Sequence, residues 1–148
     1  MGRTSLRLQF PGPMSAIRIS SVLLGVIAAK AHERPHEECC GLLAGRGGVI
    51  THAFPAENIA ADPKKNYEID PKEIVRFMRE IRASGLQFLG IYHSHPNGDN
   101  VPSPSDIEMA YYSEEAYLII SPLPNAPRPV RAFSIREGRA TELTIEIV

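Results

Sequence analysis

From Leu86 to His95 the chain is apolar almost without interruption and lacks a 3.6-residue period. Flanked by turn residues, such a run predicts a central strand buried on both faces. The segment before it, Pro71–Ser84, has the opposite pattern. Ile74, Val75, Phe77, Met78 and Ile81 recur on one face of a helix, and Arg76, Arg79 and Arg82 recur on its solvated side. Asp70 is placed to cap this helix, Pro71 occupies its first position, Glu73 lies three residues after the cap, and Gly85 ends it. Elsewhere the pattern predicts a strand over Ala16–Ile19 and a buried helix over Ser21–His32, capped by Ser20 or Ser21. Glu38–Ala44 and Val49–Phe54 read as a strand pair around Gly45-Arg46-Gly47-Gly48. Ser105–Tyr112 reads as a short helix. Ala116–Ser121, Val130–Arg136 and Ala140–Val148 read as strands, the last two joined across Glu137-Gly138. Strands interleaved with two or three helices predict an α/β fold, a single-domain sandwich with a central mixed β-sheet flanked by helices.

Composition narrows this further. The 148 residues, 43% hydrophobic and 22% charged, make one ordinary globular domain with no need of a disulfide or metal to hold it together. We expect that domain over residues 15–148, after an irregular leader over residues 1–14 that ends at Met14, a second candidate start. Arg3, Arg7 and Arg18 before the apolar run Val22–Ala29 loosely imitate a secretory signal. The run contains Gly25 and begins late, and Pro11 and Pro13 interrupt what precedes it, so a buried helix is the expectation. It is too short to cross a bilayer. A net charge of −1 argues against nucleic-acid binding by bulk electrostatics. The two cysteines, Cys39 and Cys40, are adjacent, which is no disulfide framework and suits a reducing, cytoplasmic setting. On a strand they face opposite sides and read as small buried hydrophobes. His32, His36 and His52 have no partner spacing and read as surface residues.

The chemistry concentrates in His93-Ser94-His95-Pro96 and Ser103-Pro104-Ser105-Asp106. Side chains at i and i+2 of a strand share a face, so the imidazoles of His93 and His95 can converge on one ion while Ser94 points away. Asp106, in the first turn of the next helix, can add a carboxylate. Two histidines and one aspartate leave a fourth tetrahedral position for water, the layout of a catalytic rather than a structural zinc site. Ser103-x-x-Asp106 also reads as a capping box, and the two readings are compatible. Chance placement of the whole pattern has a probability of roughly 3 in 10,000 for a chain of this composition.

His93-Ser94-His95, seven residues, Ser103, two residues, Asp106 resembles the signature of the JAMM (MPN+) metallopeptidases, as does the wider Gly90–Pro96 stretch. Glu38-Cys39-Cys40-Gly41-Leu42-Leu43-Ala44-Gly45 is similar to the family's upstream glutamate segment, and Asn66–Pro71 to another of its segments. The resemblance covers about residues 16–121 and is to the small, stand-alone bacterial type. It implies the MPN, cytidine-deaminase-like, fold and a Zn2+ cofactor held by His93, His95 and Asp106. It also implies Glu38, rather than Glu37, as the general acid-base and Ser103 as the oxyanion donor. The activity implied is hydrolysis of a peptide, isopeptide or carrier-cysteine bond at the C-terminal Gly-Gly tail of a ubiquitin-like or sulfur-carrier protein. That carrier is the partner expected, with a homodimer allowed and no role for nucleic acid or membrane. Two other readings remain at this level. One is a non-catalytic MPN scaffold, although such relatives lose zinc ligands that this chain keeps. The other is a RadC-like DNA-repair-associated protein, suggested by Asn97-Gly98-Asp99 and Pro102-Ser103 but lacking that family's helical extension and Asp-His segment.

Overall fold

The computed structural model describes residues 14–148, so the expected leader, apart from Met14, lies outside the described residues. In chain order the elements are β1 (Ala16–Ile19), α1 (Ser21–Glu33), β2 (Cys40–Arg46), β3 (Val49–Ala56), α2 (Pro71–Ala83), β4 (Gln87–Ser94), α3 (Pro104–Glu108), β5 (Ala116–Ile120), β6 (Val130–Arg136) and β7 (Arg139–Ile147). One mixed sheet runs β1-β3-β2-β4-β5-β6-β7. β4 and β5 are parallel, β1 is parallel to both of its neighbours, and the other pairs are antiparallel. The mixed α/β domain is therefore as the patterning predicts, with one addition. Short β1 pairs with β3 on one side and β7 on the other, which closes the sheet on itself. This placement covers both outer strands of a twisted sheet, which would otherwise present unpaired backbone.

Side-chain alternation divides the core. Leu43 of β2, Tyr92 of β4 and Leu118 and Ile120 of β5 pack with Ile17 and Ile19 against Leu23, Ile27 and Ala31 of α1. The alternate residues Cys40, Leu42 and Ala44 pack against Phe77 and Ile81 of α2. Ile91, Tyr117, Ile119 and Phe133 form a third group, on the side of β4 that also carries His93. β4 and β5 approach closely at Gly90, where a Cβ would lie 2.6 Å from the Ala116 carbonyl oxygen.

The helices depart from the patterning in detail. Ser20 caps α1, accepting from the Leu23 amide at 3.4 Å, but only one stripe of this helix is buried, and Val22 and Val26 are exposed. On α2 the buried stripe follows Ile74, Phe77, Met78 and Ile81 at i, i+3, i+4 and i+7, which leaves Val75 on the flank, half exposed. α3 stops at Glu108, short of Tyr112, whose amide donates to the Tyr117 hydroxyl at 3.1 Å instead of continuing the helix. Cys39 and Cys40 are free thiols on opposite faces, and His32, His36 and His52 are exposed, as expected. Among the described residues no helix is long and apolar enough to cross a membrane.

Two glycine replacements should separate packing from propensity. Gly90→Ala forces backbone apart at the centre of the sheet and should cost about 1–3 kcal/mol in urea denaturation. Gly25→Ala, where a Cβ meets nothing within 4 Å, should instead stabilise α1 by up to about 1 kcal/mol. Equal effects of the two would contradict the close approach at Gly90.

Candidate metal centre

β4 ends at the site. His93 and His95 leave the same face, and their Nε2 atoms lie 3.1 Å apart. The Oδ2 of Asp106 lies 3.2 Å from the first and 3.0 Å from the second. Asp106 is delivered by the start of α3. Ser103 Oγ accepts from the Asp106 amide at 3.0 Å, and Asp106 Oδ2 accepts from the Ser103 amide at 2.9 Å. The capping box is thus the device that aims the carboxylate.

Each imidazole has a second restraint. His95 Nδ1 donates to the Asp99 carbonyl. The protonated ring also donates from Nε2 to Asp106 Oδ2, and in the neutral ring the Asp99 bond keeps the proton on Nδ1 and leaves Nε2 as the lone-pair nitrogen. Gly98, at φ +85°, makes the turn that brings Asp99 back over the ring. His93 is stacked by Tyr67, with ring centroids 4.4 Å apart and planes 26° from parallel.

Glu38 lies just before β2, next to the register pair Cys40–His93. Ser94 points away from the histidine face, as its alternation requires, and there it clasps the neighbouring peptide. Its Oγ accepts from the Cys39 amide at 2.9 Å, and its own amide donates to the Cys39 carbonyl at 3.0 Å. Glu38, His93, His95 and Asp106 each then present a ligand atom within 4.8 Å of every other. Glu38 and His93 are nearly inaccessible, at 4% and 1% exposure. Ser103, half buried, lines the same open cleft of about 820 Å³ as Glu38, His95, Asp99, Lys64 and Lys65. Since Ser103 Oγ accepts from the Asp106 amide, its own hydrogen is free to donate.

Electrostatics sharpen the picture. Burial pushes the Glu38 carboxyl up to about 8, with His95 pulling it down and Asp106 adding to the rise. Burial alone would raise Asp106 too, but hydrogen bonds from His93 and His95 hold it well below the ordinary carboxylate range. Burial pushes the His93 imidazole below its usual value, and Asp106 only partly opposes this. Burial also works against charge on His95, but Asp106 and the Asp99 carbonyl outweigh it and leave the group raised.

The donor set fits a divalent ion. Bonds of about 2.0–2.1 Å at tetrahedral angles place neighbouring ligand atoms about 3.3 Å apart, close to the three separations given above. Two nitrogens and one carboxylate oxygen suit zinc, and Glu38 Oε1, buried beside them, has no protein partner. An orphaned carboxylate oxygen beside three converging donors is a place for a water or a substrate group.

Residues 20–136 match the family described as prokaryotic homologs of the JAB domain. The chain belongs to that family. It is 44% identical over 90 residues to the desampylase of Haloferax volcanii, 60% of this chain and 65% of that one. The chain therefore spans a little under two thirds of that relative. It is 35% identical over 109 residues to the probable TtuB-protein conjugate cleaving protease of Thermus thermophilus, 74% and 69% of the two chains. With the CysO-cysteine peptidase of Mycobacterium tuberculosis the identity is 26% over 139 residues, 93% and 94%. A solution structure of a protein from Desulfitobacterium hafniense is 29% identical, covers 89% of this chain and 92% of its own, and superposes with a TM-score of 0.78.

The structure brings together the five residues singled out from the motif, Glu38, His93, His95, Ser103 and Asp106. It adds partners that the motif left unassigned: the Tyr67 ring, the Ser94 hydroxyl and the Asp99 carbonyl. Tyr67 lies inside the Asn66–Pro71 segment, so its neighbourhood was marked, but its stacking on His93 is a tertiary contact with no local signal.

The raised Glu38 pKa has a consequence for stability without metal. Folding holds this proton more tightly than the unfolded chain does, so the stabilisation is complete below the ordinary glutamate pKa, 4.5, and is lost as pH rises toward 8. In chelator, Glu38→Gln should therefore gain on wild type by about 1–3 kcal/mol between pH 5 and pH 8 in thermal melts. A gap that does not change with pH would contradict this.

Proposed function

We propose that this chain is a zinc-dependent metallopeptidase that hydrolyses a peptide or isopeptide bond at the C-terminal Gly-Gly tail of a ubiquitin-like or sulfur-carrier protein. The observation that carries the reading is the convergence of His93 Nε2, His95 Nε2 and Asp106 Oδ2, with the buried Glu38 carboxyl beside them at the wall of an open cleft. Its relatives support it, since their names describe cleavage of TtuB–protein conjugates and of a CysO-cysteine bond.

His93, His95 and Asp106 would hold the zinc. Bound there, zinc would polarise the scissile carbonyl as a Lewis acid and lower the pKa of a water to about 7. The charge of a bound zinc would draw the Glu38 carboxyl back to its ionised form, and Glu38 would then take a proton from the attacking water as the water oxygen bonds to the carbonyl carbon. When the carbon–nitrogen bond breaks, Glu38 returns that proton to the leaving amine. Ser103 Oγ donates to the oxyanion of the tetrahedral intermediate, a task that its free hydrogen allows. Asp99 and Tyr67 keep the imidazoles oriented throughout.

The substrate tail is expected to enter the cleft as an extended strand, with its carrier domain outside. The free thiols of Cys39 and Cys40 suit a reducing cytoplasm, and Val22 and Val26, exposed on α1, are compatible with a homodimer.

The direct test uses a carrier protein extended beyond Gly-Gly, followed by intact mass. Zinc-loaded protein should trim the carrier, and chelator should stop it. Glu38→Gln should abolish trimming while one metal per chain is retained. Ser103→Ala should lower kcat by about 10²–10³ with KM little changed. Full activity in chelator, or in Glu38→Gln, would overturn the mechanism.

A further inference from the structure

The polypeptide between β3 and α2, residues 57–70, crosses beside the site and is organised around one side chain. Asn58 Nδ2 donates to the Glu38 carbonyl and to the Asn66 carbonyl, each at 2.9 Å. Its Oδ1 accepts from the Ala60 amide at 3.0 Å and from the Glu68 amide at 3.1 Å. All four hydrogen-bonding positions of one carboxamide are thereby used. The assignment of oxygen and nitrogen is fixed by the partners, because a flipped amide would set donor against donor and acceptor against acceptor.

Two backbone bonds complete the arrangement. Ile59 donates to the Glu68 carbonyl at 2.9 Å, and the Glu38 amide donates to the Pro63 carbonyl at 2.8 Å. Both polar groups of the Glu38 peptide thus end on this segment: its N–H on Pro63, its C=O on Asn58. The residue between the other two anchors, Asn66 and Glu68, is Tyr67, whose ring stacks on His93.

We propose that Asn58 is a positioning residue of this site, holding the Glu38 backbone and, through Asn66 and Glu68, the Tyr67 ring against His93. No other side chain supplies two donors on one side and two acceptors on the other at this length. Aspartate keeps the acceptors and turns an oxygen toward two carbonyls, while serine and alanine do not span the gap. Asn58 touches none of the metal-ligating atoms, and Tyr67 is packed independently against two clusters of the core, so the larger effect of losing Asn58 falls on the geometry of Glu38. The consequence for turnover rests on the hydrolase reading above. The consequence for backbone order does not.

The test compares wild type, Asn58→Asp and Asn58→Ala as zinc-loaded full chains in three measurements. Amide hydrogen exchange should quicken at least tenfold at Glu38 and Ile59 in both variants and at Glu68 in Asn58→Ala, with Leu42 and Ile91 unchanged. Zinc affinity by chelator competition should stay within about threefold of wild type. On a Gly-Gly-extended carrier, kcat should fall at least tenfold with KM within about twofold, since a shift of about 1 Å in a catalytic group can cost on the order of 10²-fold. Unchanged kcat, or a loss of zinc affinity that tracks the loss of kcat, overturns the proposal. If both variants fail to fold, wild type alone decides, since fast exchange at Glu38 and Glu68 there would overturn it and slow exchange would support it. A wild type that trims no carrier refutes the hydrolase reading and leaves the exchange result to judge Asn58.

Discussion

Three electron-rich atoms, two imidazole nitrogens and one carboxylate oxygen, sit within 3.2 Å of one another at the end of a central strand. Bare donors at that spacing repel unless protons or a cation lie between them, and much of the local sequence acts to keep them there. Strand alternation sets His93 and His95 side by side, and a helix cap turns Asp106 toward both. Neither device needs the other. Their meeting is set by the short connection from β4 to α3, in which Gly98 adopts a turn that a side chain would strain.

The sheet serves the same end from the other side. Antiparallel pairing of β2 with β4 puts Cys40 opposite His93, so the residue two places earlier falls beside the cluster of His93, His95 and Asp106. Glu38 is therefore brought in by register, and Ser94 holds that register at its end with a bond to each polar group of the Cys39 peptide. A carboxyl so placed is nearly dry, which is why burial dominates its titration. β4 itself is held by β2 and β5, which pair along both of its sides.

What could be read from the residues was what is encoded locally. The i, i+2 histidines, the Ser103–Asp106 cap, the Asp70–Pro71 start of α2 and the unbroken apolar run of β4 each have a short-range physical cause. The ends of elements were less well determined. α3 ends early because, beyond Glu108, the Tyr112 amide finds a partner in Tyr117 rather than a helical carbonyl. Val75 looked like core because its hydrophobicity matches the stripe, yet its angle on the helix places it outside. Closure through β1, the Tyr67–His93 stack and the four bonds of Asn58 all join residues that only the folded chain makes neighbours. A lone asparagine in a loop carries no pattern that distinguishes it from a solvated one.

The central claim is that His93, His95 and Asp106 form one zinc-binding set without cysteine. X-ray absorption at the zinc edge of the stoichiometrically loaded protein tests it most directly. The account predicts a shell of nitrogen and oxygen only, at about 2.0–2.1 Å, with scattering from two imidazoles. A sulfur ligand at about 2.3 Å, which would draw Cys39 or Cys40 into the site, would contradict it.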